Sequence, residues 1–212
     1  MAQIDLRPGR RIDGHAATAM GSAALPDTGL LPDTGVLQVF HDLETTGYYR
    51  GDDSESAWLV RWVQTPAELV TPPPDAHGPT PVYTRVEQVV GATLPSPEDL
   101  EDHNAAARCE IAKRKLIAAQ LPVGVPGPPP ILWHLRPLST LLGHGWESDH
   151  EALRVLGEAT QDHGPWLLLA DLSGTGALDQ WFADESHLEL WIRPADLAER
   201  AFDRVWALLR YG

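Results

Sequence analysis

Trp166-Leu167-Leu168-Leu169-Ala170 is a continuous apolar run of strand length. It is followed by His187-Leu188-Glu189-Leu190-Trp191-Ile192-Arg193, which alternates and puts Leu188, Leu190 and Ile192 on one face. Val205-Trp206-Ala207-Leu208-Leu209-Arg210-Tyr211 is apolar on nearly both faces. A run apolar on both sides is the signature of a strand covered on both sides, and alternation is that of a strand with one face in the core. The first and third segments therefore read as buried strands and the second as half-buried. Between the last two, Pro194-Ala195-Asp196-Leu197-Ala198-Glu199-Arg200 reads as a short helix over 194–200. Residues 166–211 become the platform on which the rest packs.

Working back toward the start, Val36-Leu37-Gln38-Val39-Phe40 reads as a strand, and 58–63 as another with Trp58, Val60 and Trp62 on one face. A hairpin joins them, with a long polar loop over 42–56. Residues 1–6 read as a short edge strand, and 1–35 as a loop-rich segment. Its two turn tetrads, Pro26-Asp27-Thr28-Gly29 and Pro32-Asp33-Thr34-Gly35, suit turns because Pro and Asp initiate them and Gly tolerates positive φ. Residues 82–90 and 131–135 are further strand candidates. The Pro/Gly-rich stretches 72–79 and 121–130 read as extended connectors.

Two further helices are signalled by their starts. Ser96-Pro97-Glu98-Asp99 offers a cap, a first-turn proline and two acids that complement the macrodipole, which predicts a helix over 97–120 stopped by Pro122. Ser148 with Glu151 forms a capping box, which predicts a helix over 149–160. Strands outnumber helices and do not alternate regularly with them. The expectation is an α+β fold with a mainly antiparallel sheet and helices at 97–120, 149–160 and 194–200.

The 212 residues suit one domain, and the 43% hydrophobic content is enough for a core. The formal net charge of -14 repels phosphate backbones and anionic lipid, so nucleic-acid and membrane partners are not expected; a basic protein partner is. One cysteine, Cys109, excludes an internal disulfide and any cysteine-pair zinc motif. There is no leader-like opening and no apolar run approaching about 20 residues, so the expected setting is cytoplasmic.

The order of the segments is itself informative. Gln3-Ile4-Asp5-Leu6, then Leu31-Pro32-Asp33-Thr34-Gly35-Val36-Leu37-Gln38-Val39-Phe40 with Asp42-Leu43, resembles the front half of YwqG-like proteins, bacterial proteins carrying a domain of unknown function. Leu141-Leu142-Gly143-His144 is similar to that family's Leu-Leu-Gly segment. Leu188-Glu189-Leu190-Trp191-Ile192, then Asp196-Leu197-Ala198 and Phe202-Asp203-Arg204-Val205-Trp206, resembles its C-terminal block. The resemblance spans about residues 2–211 and implies a single α+β domain over 1–212. It supplies no catalytic residues. Two departures stand out. Family members usually carry further sequence before the Gln-Ile-Asp-Leu block, which here follows Met1 directly, so the front of the domain is expected to be missing or shortened. Residues 181–186 also replace the Trp-Gly-Asp-like turn usual there. Some relatives look associated with toxin-immunity loci, which implies an immunity-type role.

Reactive motifs are few. Ser173-Gly174-Thr175-Gly176 lacks the Lys-Ser/Thr of a phosphate loop, and there is no Gly-x-Ser-x-Gly elbow. Cys109 falls inside a predicted helix and reads as packed. His144, Glu147, Asp149 and His150 form the densest group of potential ligands, but no metal-binding spacing is present, and no cofactor is expected. The acids Asp171, Asp179, Asp184 and Glu185 read as a solvated loop after a strand.

Trp146 and Trp181, in predicted loops, would mark a partner-binding surface if exposed. The candidate surface is thus His144, Trp146, Asp171, Trp181 and Asp184, with no catalytic residue assigned. The leading expectation is a non-catalytic protein-interaction module, of immunity type against a basic toxin. The alternative is an enzyme or a small-ligand or metal binder, which requires His134, His144, His150, Asp171 and Asp184 to converge in one deep pocket. A sheet edge left open by a shortened front would be buried by homodimerisation.

Overall fold

The computed structural model of the chain describes residues 2–5, 31–51, 54–65, 93–120, 139–145, 147–174 and 186–211. These form two antiparallel sheets. β1 (Ala2–Asp5), β2 (Val36–His41) and β3 (Trp58–Val63) make a three-stranded sheet in that order. β4 (Thr140–Leu141), β5 (Leu167–Ser173), β6 (His187–Ile192) and β7 (Trp206–Arg210) make a four-stranded sheet in that order. The helices are α1 (Ser54–Ala57), α2 (His103–Gln120), α3 (Asp149–Thr160) and α4 (Pro194–Glu199), with 3-10 turns at Pro97–Asp99 and Phe202–Arg204. The expected α+β fold dominated by antiparallel sheet is what the chain adopts. The strand candidates at 82–90 and 131–135 lie outside the described residues.

One core lies between the sheets. Leu37 and Val39 of β2 and Val60 of β3 are buried against Leu169, Leu172, Leu188, Leu190, Ile192 and Leu209 of the larger sheet. Half-buried Trp58 and Trp62 flank Val60, as the alternation of β3 predicts. A second core lies on the opposite face of the larger sheet. There Ala152, Val155 and Leu156 of α3, an i, i+3, i+4 stripe, pack on Leu168, Trp191 and Leu208. The larger sheet is therefore covered on both faces.

This double coverage corrects the reading of β6. All six of its residues are buried, including His187 and Glu189 at 1% exposure each. The polar half of its alternation faces α3, not solvent. Trp191 likewise packs against the preceding helix α3, not the helix that follows it.

The helix expected over 97–120 is two elements. Pro97–Asp99 is a single 3-10 turn, and Ser96 makes no side-chain cap. α2 begins afresh at His103, where the Asp102 carboxylate accepts from Asn104 N (2.8 Å) and the Asp102 carbonyl accepts from Ala106 N (2.8 Å). The break frees Asp99 to cap a different helix. α3 and α4 start as expected. α4 ends at Arg200, whose left-handed φ of 59° turns the chain so that Ala201 N reaches the Asp196 carbonyl at 2.8 Å.

Two local features set what faces what. β5 carries a register shift between Leu168 and Ala170, so Leu168, Asp171 and Ser173 lie opposite Trp191, Glu189 and His187. On the outer side of β7, residues 42–50 run as a strap. Leu209 N donates to the Thr46 carbonyl (2.9 Å), and Trp206 Nε1 to the Gly47 carbonyl (2.9 Å). Gly47 has a φ of 77°, and a Cβ there would stand 1.9 Å from the Ala207 carbonyl oxygen, so only glycine lets the strap lie this close.

Candidate functional site

The α3-facing side of the larger sheet is apolar at one end and polar at the other. From the β5 shift onward, Asp171 and Ser173 fall beside Glu189 and His187 of β6, and His187 pairs in register with Arg210 of β7. All five are buried. Four ionisable side chains on three strands thus share one small interior volume.

They are mutually committed. His187 Nδ1 lies 2.7 Å from Asp171 Oδ1. Burial pulls the imidazole down, but the hydrogen bond and charge of Asp171, with Glu147 and Glu189 adding to it, outweigh that and leave His187 above its ordinary value. Glu189 is pushed up to about 7, chiefly by burial, with Asp171 and Asp149 repelling its charge against the pull of Arg210. Its carboxylate accepts from Trp191 Nε1 at 2.9 Å. Arg210 reaches Glu189 Oε1 at 3.4 Å, Glu151 Oε2 at 2.8 Å and the Ser148 carbonyl at 2.9 Å.

The N-terminus of α3 closes over this cluster. Ser148 Oγ accepts from Glu151 N (3.2 Å) and donates to Asp99 Oδ1 (2.5 Å). The two carboxylate oxygens of Asp99 also accept from Asp149 N (3.0 Å) and His150 N (3.3 Å). The expected capping box is therefore half formed. Ser148 caps as predicted, but the Glu151 carboxylate goes to Arg210, and Asp99, some fifty positions upstream, supplies the second acceptor.

His144 lies at the rim. Its Nδ1 is 2.5 Å from Asp149 Oδ2, its backbone N–H donates to Thr93 Oγ1 at 2.8 Å, and its side chain is 43% exposed. The neighbouring Gly145 faces Glu189 and accepts from Lys113 Nζ at 3.4 Å. Burial pulls the Lys113 amine down against the charges of Asp149, Cys109, Glu110 and Asp171.

Of the candidate surface, His144 is at that rim, and Asp171 is not on a surface: it is an interior strand residue 1% exposed. Its reading as part of a solvated acidic loop is overturned, because β5 extends two residues past its apolar run and the register shift turns Asp171 inward. Trp146, Trp181 and Asp184 lie outside the described residues, as does His134. His150 is exposed, 3.7 Å from Asp99. His144, His150 and Asp171 therefore have three separate partners and share no pocket. Among the described residues, no group of three or more His, Cys, Asp or Glu is arranged to hold a metal ion, and no helix is long and apolar enough to cross a membrane.

The sequence reading missed His187, Glu189 and Arg210. The available signal was charge placed inside otherwise apolar strands: Glu189 between two leucines, and Arg210 after Leu208-Leu209. Such charges need partners on neighbouring strands. Chemically, the arrangement can hold and exchange protons among four buried groups.

No curated protein matches the chain. The family model described as a domain of unknown function, DUF1963, matches residues 19–210, from before β2 to the last residue of β7 and so including every member of the buried cluster. The chain belongs to the DUF1963 family of domains of unknown function.

Proposed function

We propose that this chain is a non-catalytic interaction module that engages a basic protein, and that within a YwqG-like setting its role is of immunity type, masking a basic toxin. One observation carries this. The described carboxylates deepest in the fold are committed to internal partners, so the excess negative charge behind the net -14 is left to the exterior. Glu98, Glu101 and Asp102 are exposed together in the segment leading into α2. An exterior of one sign steers an oppositely charged partner and sets the association rate.

The test begins with the basic protein encoded beside this chain's gene, purified and titrated against the native chain. Binding should weaken at least about tenfold between low and high salt, and also in the triple charge reversal E98K/E101K/D102K. Co-expression should rescue cells from the toxin. Affinity that ignores both salt and charge reversal, or co-expression without rescue, would sink the proposal.

A second reading is favoured by the Asp171–His187 pair beside a carboxyl held near neutrality, since strongly shifted ionisable groups concentrate at working sites. It makes the chain a small-ligand binder or enzyme acting at this cluster. A metabolite that raises the Tm of the wild-type chain but not of H187N would favour it. A full metabolite screen producing no such compound would remove it.

A further inference from the structure

His41 ends β2, and its ring is buried, with 2% of the side chain exposed. It stacks on Trp58 with ring centroids 5.9 Å apart. Its Nδ1 accepts a hydrogen bond from Leu43 N at 2.8 Å. A ring nitrogen that accepts carries no proton, so the neutral ring bears its hydrogen on Nε2, which has no hydrogen-bond partner. This histidine is thus built in as a neutral acceptor, two residues before a left-handed backbone turn at Leu43, where φ is 65°.

That turn launches the strap. The Asp42 carboxylate fixes its first residues, accepting from Glu44 N, Thr45 N and Thr45 Oγ1 at 2.8 to 2.9 Å. Asp42 N itself donates to the Ala57 carbonyl at 2.9 Å. The strap then lies along β7 through Thr46 and Gly47. Every constraint on the direction in which the chain leaves β2 passes through residues 41–45.

We propose that His41 is an acid-sensitive latch: protonating its ring at Nδ1 breaks the Leu43 hydrogen bond and releases the strap of residues 42–50 from the outer edge of β7. The physical chain is short. An imidazolium has two N–H donors and no acceptor, so Nδ1–H would point at Leu43 N–H. The charge would also sit in a buried pocket walled by an indole. The charged groups acting on His41 are Asp42, 3.6 Å away, which favours the cation, and the chain's amino-terminal charge, which opposes it. From β3 the ring meets only Trp58, which does not titrate. Burial outweighs Asp42 and holds the ring below its ordinary value of 6.5, so the latch stays shut at neutral pH and yields on acidification. Release exposes the Leu209 N–H and the Trp206 indole, turning a covered sheet edge into one open to strand addition.

The experiment is amide hydrogen exchange on the full chain, read at Leu209 and corrected for intrinsic rate, from about pH 7 to about pH 5. Protection at Leu209 should fall at least about tenfold, while Leu190, in the central strand β6, keeps its protection. In H41N, whose amide oxygen keeps an acceptor near the Nδ1 position but does not titrate, protection at Leu209 should be independent of pH. Should H41N fail to fold, the imidazole proton resonance of His41 in the wild type serves instead, and its titration must coincide with the loss of Leu209 protection. Constant protection at Leu209 while His41 titrates, or equal loss in H41N, overturns the proposal.

Discussion

Replacing Glu189 by glutamine isolates the energetics of the buried cluster. In the unfolded chain this carboxyl titrates near its ordinary 4.5, and in the folded protein it is pushed up to about 7. Below 4.5 both states hold the proton. Between 4.5 and 7 the unfolded state releases it and the folded state keeps it, so stability falls as pH rises, and the loss is complete above 7. At about 1.4 kcal/mol per pH unit, the group costs the folded state about 3 kcal/mol at mildly alkaline pH. His187, raised, adds stability that is also lost as pH rises through its folded value. His41, lowered, acts in the opposite sense, its stability being lost as pH falls below 6.5.

Glutamine cannot titrate, yet its carbonyl oxygen still accepts from Trp191 Nε1. The assay is urea denaturation of both proteins, followed by tryptophan fluorescence at a series of pH values from about 4.5 to 8.5. E189Q should lie within about 1 kcal/mol of the wild type at the acid end and gain about 3 kcal/mol on it by the alkaline end. A stability difference that stays flat with pH, or that turns against the variant as pH rises, would refute the assignment of a neutral carboxyl to this position.

Three further outcomes follow from the same geometry. Gly47→Ala forces a side chain into the Ala207 carbonyl at a positive φ, and should lower stability by about 2 kcal/mol or more in a thermal melt, together with Leu209 protection. Asp99→Ala removes the acceptor for Asp149 N and His150 N, and should cost about 1–2 kcal/mol; a double-mutant cycle with Ser148→Ala should be non-additive, since the two side chains are hydrogen bonded. Asp171→Asn deletes the charge that outweighs the burial of His187, so the imidazole should titrate below 6.5 where the wild type titrates above it, as read from its proton resonances.

The fold was largely legible because its strongest elements speak locally. The apolar runs of β5 and β7, the alternation of β3 and the starts of α3 and α4 each declare themselves within a few residues. What was not legible is everything that depends on who the neighbour is. Glu189 alternates with leucines just as a solvent-facing residue would, and only Asp171, Arg210 and α3, all far along the chain, make its side an interior. Asp99 sits where a first-turn acid belongs, and nothing within its own segment says that its carboxylate will serve Ser148 and Asp149 instead. Periodicity reports the spacing of side chains along one element, whereas burial of a charge is decided by the elements that cover it. His144 could be named from sequence as a candidate; its partner Asp149 could be named as nearby but not as bonded.

The register shift in β5 bears on what mutation can do to this gene. Alternation alone would place Leu168, Ala170 and Leu172 on one side; the extra residue instead groups Leu168 with Asp171 and Ser173. Losing a single codon between those positions would exchange the two sides of the strand's second half. Asp171 would then be delivered into the hydrocarbon layer beside Leu188 and Leu190, and Leu172 would be left facing His187. Point substitutions there are a matter of degree, but a frame-preserving deletion of one residue is a different protein. Chain length between Leu168 and Asp171 should therefore vary less among functional sequences than the identity of any residue within it.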